Sequence, residues 1–295
     1  CTFDTSGCSM STTLPLGELC TSNDMCASGL CSLDAVSTDH RRCVPLELSS
    51  AAGGAMEFRY VPATGSGGFT MGSPSGEVGY RNSTREAQHN VVISRAMLVA
   101  RTEVTQGQWK AATGGTNPSC FQSTSGTACG SSNANNSGPV EQVDWWSSAA
   151  YANWLSEQAG LARCYTFTPS NWDRTVSNWS DGNGTNGTAA TNVSFSGVSC
   201  PGYRLLTEAE WEWSARAGTT TATYGGNLQA PYYCESQPNL NGIAWYCGSS
   251  GDRTQAVGGK TANAYGLRDM LGNVWEWTTD RSEEHTSELQ SRQYL

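Results

Sequence analysis

Two Trp-rich stretches of this chain carry most of its fold information: Gly202-Tyr-Arg-Leu-Leu-Thr-Glu-Ala-Glu-Trp-Glu-Trp213 and Gly266-Leu-Arg-Asp-Met-Leu-Gly-Asn-Val-Trp-Glu-Trp277. In the first, Thr207 and Glu210 have the spacing of a capping box. In that motif the Thr hydroxyl accepts a hydrogen bond from the backbone amide of residue N3, and the Glu carboxylate accepts one from the backbone amide of the Thr. Glu208 falls in the first turn, where negative charge suits the helix dipole. We therefore predict a helix after Thr207 and a structural, non-catalytic role for Glu210.

The composition excludes several classes of protein. The 295 residues include 17 Lys and Arg against 26 Asp and Glu, which gives a formal net charge of −9. An acidic chain without basic runs is poorly suited to nucleic acid or to anionic membranes. No apolar run approaches the ~18–20 residues of a membrane span. The 11 Trp and 11 Tyr can fill a sizeable core, and the 33 Gly indicate a loop-rich chain.

Twelve cysteines, an even number, indicate an oxidising compartment. We predict a secreted, periplasmic or cell-surface protein. Six of the cysteines lie in residues 1–43 and predict a small disulfide-rich module over 1–45, whose pairing the sequence leaves open. A zinc site is the weaker alternative, because no C-x-x-C pair is present and His40 is the only nearby His. Cys1 is alternatively the lipidated first residue of a bacterial lipoprotein.

The other cysteines predict local disulfides. Each candidate pair brackets a loop, and the even count outside the N-terminal module allows complete pairing. The predicted pairs are Cys120–Cys129, Cys164–Cys200 and Cys234–Cys247.

The chain divides into four predicted segments. The Cys-rich module at 1–45 is followed by a linker at 46–55 that is rich in Ser, Ala and Gly. The main domain then spans 56–280. Residues 281–295 resemble a common sequencing-adapter oligonucleotide translated in frame, so we predict an artefact there and exclude it from fold reasoning.

Local patterns within the main domain predict short elements. Aliphatic and β-branched runs predict strands at 69–73, 91–93 and 96–100. Helices are predicted after Thr105, which has capping-box spacing with Gln108, and from Asp144 to Gly160. The segments 113–138 and 170–200 are rich in Gly, Ser, Thr and Asn without periodicity and predict long loops.

Other catalytic chemistries find little support in the sequence. His89 is the only His of the main domain, so the sequence nominates no Ser-His-Asp or His-Cys set. There is also no H-E-x-x-H motif.

The two Trp-rich motifs, together with Phe69–Ser73, Arg101–Trp109 and Pro139–Trp145, resemble the formylglycine-generating enzyme (sulfatase-modifying factor) family. The resemblance extends over roughly 56–280. It implies an α+β fold, an elaborated C-type-lectin-like domain that is poor in regular structure and stabilised by calcium.

The resemblance also implies a calcium site in the second motif. Asp269 would give a side-chain oxygen, Gly272 and Val274 would give backbone carbonyls, and Glu276 would give a carboxylate. Calcium prefers several hard oxygen ligands on a flexible loop, so these residue types suit it. The alternative is that Asp269 and Glu276 form ordinary caps or ion pairs.

The family's enzymes oxidise a Cys of a sulfatase motif to Cα-formylglycine, using molecular oxygen and copper. Two Cys after the calcium motif hold the copper, but no Cys follows Cys247 in this sequence. We therefore expect no catalytic residue and no formylglycine-forming activity in this chain, and we expect copper only if a further C-terminal segment carries the pair. Two functions stay open: an oxidase that acts on a sulfatase-type polypeptide, or a non-catalytic, secreted, lectin-like domain that binds a surface ligand or a protein.

Overall fold

The computed structural model describes residues 54–78, 86–122, 129, 135–179, 190–229 and 234–280, with four short strands between residues 19 and 50. The strands are β1 (Leu19–Cys20), β2 (Cys31–Leu33), β3 (Arg41–Cys43), β4 (Glu47–Ser50), β5 (Gly54–Val61), β6 (Phe69–Met71), β7 (His89–Val91), β8 (Met97–Ala100), β9 (Tyr165–Thr168) and β10 (Asn192–Phe195). The helices are α1 (Gln106–Thr113), α2 (Trp145–Gln158), α3 (Glu208–Arg216) and α4 (Pro238–Asn241). Short 3₁₀ helices lie at Asn135–Ser137, Trp172–Arg174 and Val176–Asn178.

The strands pair into small antiparallel sheets. Their orders are β1-β3-β2, β4-β5-β8, β6-β7 and β10-β9. In the described residues of the main domain, β5 is the longest strand, and it pairs with β8 from Phe58↔Ala100 to Val61↔Met97. The mixture of short strands, short helices and long connections agrees with the predicted loop-rich α+β fold.

The predicted helix starts are confirmed, because each depends only on neighbouring residues. Thr105 and Thr207 each form both hydrogen bonds of a capping box, with Gln108 and Glu210 as partners. Asp144 caps α2 by accepting from the Ser147 amide at 2.7 Å. That helix ends at Gln158, two residues before the predicted Gly160.

Glu210 has the structural role that its position predicts. Besides its capping bond to the Thr207 amide, its two carboxylate oxygens accept from Arg204 Nη1 and Nη2 at 2.6 and 2.7 Å. Both side chains are nearly buried. A bidentate, charge-assisted pair of this kind fixes the segment that precedes α3.

Two segments differ from the sequence-based expectation. Residues 46–55, predicted as a linker, contain β4 and the start of β5, in register from Glu47↔Glu57 to Ser50↔Gly54. The predicted loop 170–200 contains β10, which pairs with β9. In both cases the strand is specified by hydrogen bonding to a partner strand, and composition alone carries no signal of that partner.

The core has one large and several smaller clusters. In the large one, aromatic residues of α1, α2 and β9 pack together, among them Trp109, Trp145 and Phe167. In a second cluster Trp211 of α3 packs with Val61, Val99, Leu267 and Met270. This second cluster attaches the loop 266–277 to α3 and to the β5-β8 pair, and so positions the predicted calcium residues.

The three disulfides predicted in the main domain are present. Their Cα atoms are 5.5 Å apart in Cys120–Cys129, 5.7 Å in Cys164–Cys200 and 5.1 Å in Cys234–Cys247. The cysteine pairing of the N-terminal module and the predicted artefact at 281–295 lie outside the described residues. Among the described residues, no helix has the length and apolar character needed to cross a bilayer.

Candidate functional site

The loop that carries the predicted calcium residues has an unusual backbone. Asp269 and Asn273 adopt positive φ angles of 55° and 59°. Gly272 has φ 83°, and a Cβ at this position would lie 2.1 Å from the Trp245 carbonyl oxygen. The Asn273 amide donates to the same oxygen at 2.7 Å. Only glycine allows this close approach, which ties the loop to the segment around Trp245.

Asp269 is buried, with 1% of its surface exposed. Its Oδ2 accepts from the Gly258 amide, whereas its Oδ1 has no hydrogen-bond partner in the described structure. Burial raises the pKa of this carboxyl, while the Gly258 amide and the nearby Arg268, Lys260 and Arg101 oppose that rise. A buried oxygen left without a donor costs about 1–3 kcal/mol, or more when charged, so a cation or a donor beside Asp269 Oδ1 would stabilise the folded chain.

Glu276 is close enough to Asp269 for the charge of Asp269 to affect its pKa. Burial raises the pKa of Glu276 to about 7, the Trp211 indole N–H lowers it, and the negative charge of Asp269 raises it. Trp211 Nε1 donates to Glu276 Oε2. The structure therefore brings the two predicted carboxylates into electrostatic contact. Gly272 is buried and Val274 partly buried beside them.

The structure adds a residue that the sequence analysis missed. Glu103 is 9% exposed, and its Oε2 accepts from Asn273 Nδ2 at 3.1 Å across 170 positions of sequence. Burial raises its pKa well above the usual range, and the charges of Asp269 and Glu276 raise it further. Its Oε1 has no hydrogen-bond partner within the described part of the chain. The only sequence signal was the motif Arg101–Trp109, in which this Glu carried no assigned role.

These residues carry oxygen atoms of the type that a hard divalent cation prefers. Glu103 Oε1 and Asp269 Oδ1 are buried carboxylate oxygens without donors, and their charges repel each other and that of Glu276. Across the described ranges, no group of three acidic, His or Cys side chains is arranged to hold a metal by side chains alone. A cation here would need backbone oxygens as well, which is the mixed set expected of Gly272 and Val274.

A second candidate site is an open cleft of about 1320 Å³. Its walls include β8, the segment 198–207 and the end of the loop 266–277. Five large apolar side chains are exposed among the described residues, and four of them line the cleft: Val92, Leu161, Val198 and Trp275. Trp275 alone is 58% exposed. The cleft is therefore an apolar surface that the described residues leave uncovered.

All cysteines that the structure describes in the main domain form the three disulfides. None of these sulfurs is a thiolate, and thiolates are the ligands that copper(I) prefers. The described part of the main domain therefore offers no Cys pair to copper.

Comparison with known proteins agrees with the motifs and the fold. The model of the sulfatase-modifying factor enzyme 1-like domain matches residues 60–294. A formylglycine-generating enzyme of Mycobacterium tuberculosis is 46% identical over 93 residues, which cover 28% of this chain and 29% of that protein. Chaperone protein LppX of Paenibacillus barcinonensis is 30% identical over 210 residues, 64% of this chain and 63% of that protein. The chain thus spans less than two thirds of the length of these relatives.

The solved structure of Treponema denticola variable protein 1 is similar over most of the chain. It has a TM-score of 0.60 and 30% sequence identity, and the match covers 83% of this chain and 81% of that one. With the family model matching residues 60–294, the chain belongs to the sulfatase-modifying factor enzyme 1-like family.

Proposed function

We propose that this chain is a calcium-stabilised, extracytoplasmic binding domain that holds an apolar polypeptide segment in its open cleft. The observation that carries the proposal is the grouping of exposed apolar side chains around that cleft. Val92, Leu161, Val198 and Trp275 are 48%, 40%, 51% and 58% exposed. Soluble proteins rarely leave such a group uncovered unless it binds something.

A polypeptide is the occupant that suits the walls best. Trp275 can act as an aromatic anchor, the type of residue that dominates binding energy at protein interfaces. The exposed side chain of Arg95 also lines the cleft and can pair with peptide groups. The similarity to a protein named as a chaperone supports a polypeptide ligand. The three disulfides support a location outside the cytoplasm.

The test measures, by fluorescence anisotropy, the binding of a fluorescent peptide with alternating apolar residues. The control is the same peptide with its apolar residues replaced by Asp and Lys. We expect saturable binding of the apolar peptide alone. Val198→Ser and Trp275→Ala should each weaken it by about tenfold, equal to roughly 1.4 kcal/mol.

Val78→Ser is the matched control, because Val78 is another exposed apolar residue, 39% exposed, that does not line the cleft. It should leave the affinity unchanged. Equal losses in Val78→Ser and Val198→Ser, or no binding of the apolar peptide by the parent protein, would contradict the proposal.

The second candidate function is formylglycine formation on a sulfatase-type polypeptide. It is favoured by the 46% identity, over 93 residues, to a formylglycine-generating enzyme. The copper held by a Cys pair would supply the oxidation chemistry, and the described cysteines of the main domain do not form such a pair.

Incubation of the chain with a sulfatase-motif peptide, copper and oxygen separates the two functions. We expect no aldehyde product by mass spectrometry. Repeated turnover of the peptide would favour the oxidase and would show that a copper site exists outside the described cysteines.

A further inference from the structure

One side of the open cleft is the edge of a β-sheet. In the sheet β4-β5-β8, strand β8 lies at the end of the order, and among the described residues it pairs with β5 alone. Residues 94–100, which comprise β8 and the three residues before it, all line the cleft. A strand at the edge of a sheet presents a row of unpaired amides and carbonyls. The cleft therefore borders on such a row.

The ladder between β5 and β8 shows which backbone groups form this row. The Arg101 amide donates to the Glu57 carbonyl at 2.8 Å, so these two residues are a hydrogen-bonded pair. Such pairs alternate with non-hydrogen-bonded pairs along an antiparallel ladder. Ala100 and Leu98, the first and third residues before Arg101, therefore belong to non-hydrogen-bonded pairs. Their amides and carbonyls point away from β5.

These outward-pointing groups are unpaired. In the part of the chain that the structure describes, the amides and carbonyls of Leu98 and Ala100 have no hydrogen-bond partner. Both residues are only partly buried and both line the cleft. Folded proteins pair the great majority of backbone amides and carbonyls that are removed from water. The two residues thus offer two donors and two acceptors that water or a ligand completes.

Strand β8 lacks the features by which edge strands avoid pairing with another chain. Its sequence, Met97-Leu-Val-Ala100, contains no charged residue and no proline. Edge strands that stay unpaired commonly carry Lys or Pro or are covered by another element. Val92 and Trp275, both exposed, line the same cleft. An uncharged edge beside apolar side chains is suited to the addition of a further strand.

The charge beside β8 narrows the choice of partner. Arg95, two residues before Met97, is exposed and lines the cleft. A cation at this place complements an acidic residue at one end of a bound segment. The whole chain has a formal net charge of −9, so long-range attraction does not favour an acidic peptide. A preference for an acidic peptide would therefore report a local contact with Arg95.

We propose that an extended apolar peptide with an acidic residue at one end binds in the cleft by adding a strand to the edge of β8. This inference rests on the peptide-binding function proposed above and specifies how the peptide is recognised. The backbone groups of Leu98 and Ala100 bond to the peptide backbone, and the apolar side chains of the cleft contact every second peptide side chain. An extended polypeptide is the ligand whose amides and carbonyls recur at the spacing of alternate strand residues, about 6.6 Å.

The test uses fluorescent peptides in which Val alternates with Thr, with a Glu at each end, and measures their affinity for the full chain by anisotropy. One peptide is unmodified, one is N-methylated on the Val residues and one on the Thr residues. The alternation fixes the register, so a single edge of the peptide faces β8. We expect one methylated peptide to bind like the unmodified one and the other to bind about tenfold more weakly. Replacing both Glu by Lys should weaken binding about two- to fivefold.

Hydrogen exchange measured by NMR reports the same contact from the side of the protein. In the complex with the unmodified peptide, the amides of Leu98 and Ala100 should exchange about tenfold more slowly or less. Met97 and Val99 are the internal controls, because their amides already bond to β5 and should change little. Ala100→Pro removes one outward amide, which an edge strand tolerates, and should weaken binding about tenfold. If this variant is unfolded by circular dichroism, the exchange of Leu98 in the parent chain decides.

The outcomes separate this inference from the peptide-binding function. Saturable binding of the unmodified peptide together with equal affinities of the two methylated peptides would overturn strand addition and leave peptide binding intact. Unchanged exchange of the Leu98 and Ala100 amides in the saturated complex would do the same. Tighter binding of the Lys-flanked peptide would overturn the acidic partner assigned here. Absence of binding by the unmodified peptide would overturn both the inference and the function on which it rests.

Discussion

At the scale of single residues, the loop 266–277 is characterised by three neighbouring carboxylates, two of them buried and one partly buried, from two distant parts of the chain. Asp269 and Glu276 lie within the loop, and Glu103 approaches from the segment before α1. The charge of Asp269 raises the pKa of Glu103 and of Glu276, the charge of Glu276 raises that of Glu103, and two of the carboxylate oxygens lack donors in the described structure. A cation would relieve both the repulsion and the missing hydrogen bonds, which is the physical basis for proposing calcium here.

The calcium proposal predicts a melting temperature that depends on the metal. Calcium that binds only the folded state increases the free energy of unfolding by RT ln(1 + [L]/Kd). This is about 2.7 kcal/mol when the calcium concentration is a hundred times Kd. For a domain of this size we expect EDTA to lower the melting temperature by roughly 5–10 °C. Glu276→Ala and Glu103→Gln should each remove most of that sensitivity.

Glu235→Gln is the control for these variants, because Glu235 is an exposed acidic residue that is not in the cluster. Its response to EDTA should match that of the parent protein. Superimposable melting curves in calcium and in EDTA for the parent would show that the three carboxylates serve only as structural polar groups.

At the scale of elements, helix starts in this chain are set by side chains a few residues away. Thr207 and Glu210 satisfy two amides at the start of α3, and Arg204 then holds Glu210 with two bonds. Trp211 of the same helix donates to Glu276. The cap of α3 therefore also influences where the carboxylate cluster is held.

Removing this cap should have a measurable cost. We expect Thr207→Ala to reduce the free energy of unfolding by about 1 kcal/mol, because the Glu210 amide loses its acceptor. Thr207→Ser keeps the hydroxyl and should stay within about 0.5 kcal/mol of the parent. Urea denaturation measures both, and equal stability of Thr207→Ala and the parent would show that the cap contributes nothing in this context.

At the scale of the whole molecule, short elements and long connections are held by a dispersed aromatic core and by disulfides. Four small sheets and four helices leave few long runs of backbone hydrogen bonds among the described residues. Trp side chains link them instead: Trp145 donates to the Thr278 carbonyl at 2.7 Å, and Trp213 donates to the Pro62 carbonyl at 2.7 Å. Each bond joins parts of the chain that lie far apart in sequence.

The disulfides should stabilise this loop-rich fold unequally. Chain entropy predicts a larger effect for a longer loop, and the sequence separations are 36 for Cys164–Cys200 and 9 for Cys120–Cys129. We expect replacement of the first pair by Ser to cost about 1 kcal/mol more than replacement of the second, within a typical range of roughly 2–4 kcal/mol each. Urea unfolding of the two double variants tests this, and a larger loss from the Cys120–Cys129 pair would contradict it.

The features that could be predicted from the sequence are those whose causes lie within a few residues or within a recognisable motif. The caps at Thr105, Asp144 and Thr207 follow from side chains that reach only their own first turn. The local disulfides follow from cysteines that bracket loops. The two Trp-rich motifs identified the family and therefore the fold.

The features that depend on partners far away in the chain became visible in the folded structure alone. Glu103 joins Asp269 because the second core cluster places the loop 266–277 against the β5-β8 pair. Within the predicted linker 46–55, Glu47–Ser50 form a strand because β5 supplies hydrogen bonds, which the Ser, Ala and Gly composition of that segment does not encode. The exposure of Trp275 likewise depends on what packs around it. Burial and long-range pairing are properties of the folded chain, so local sequence patterns cannot specify them.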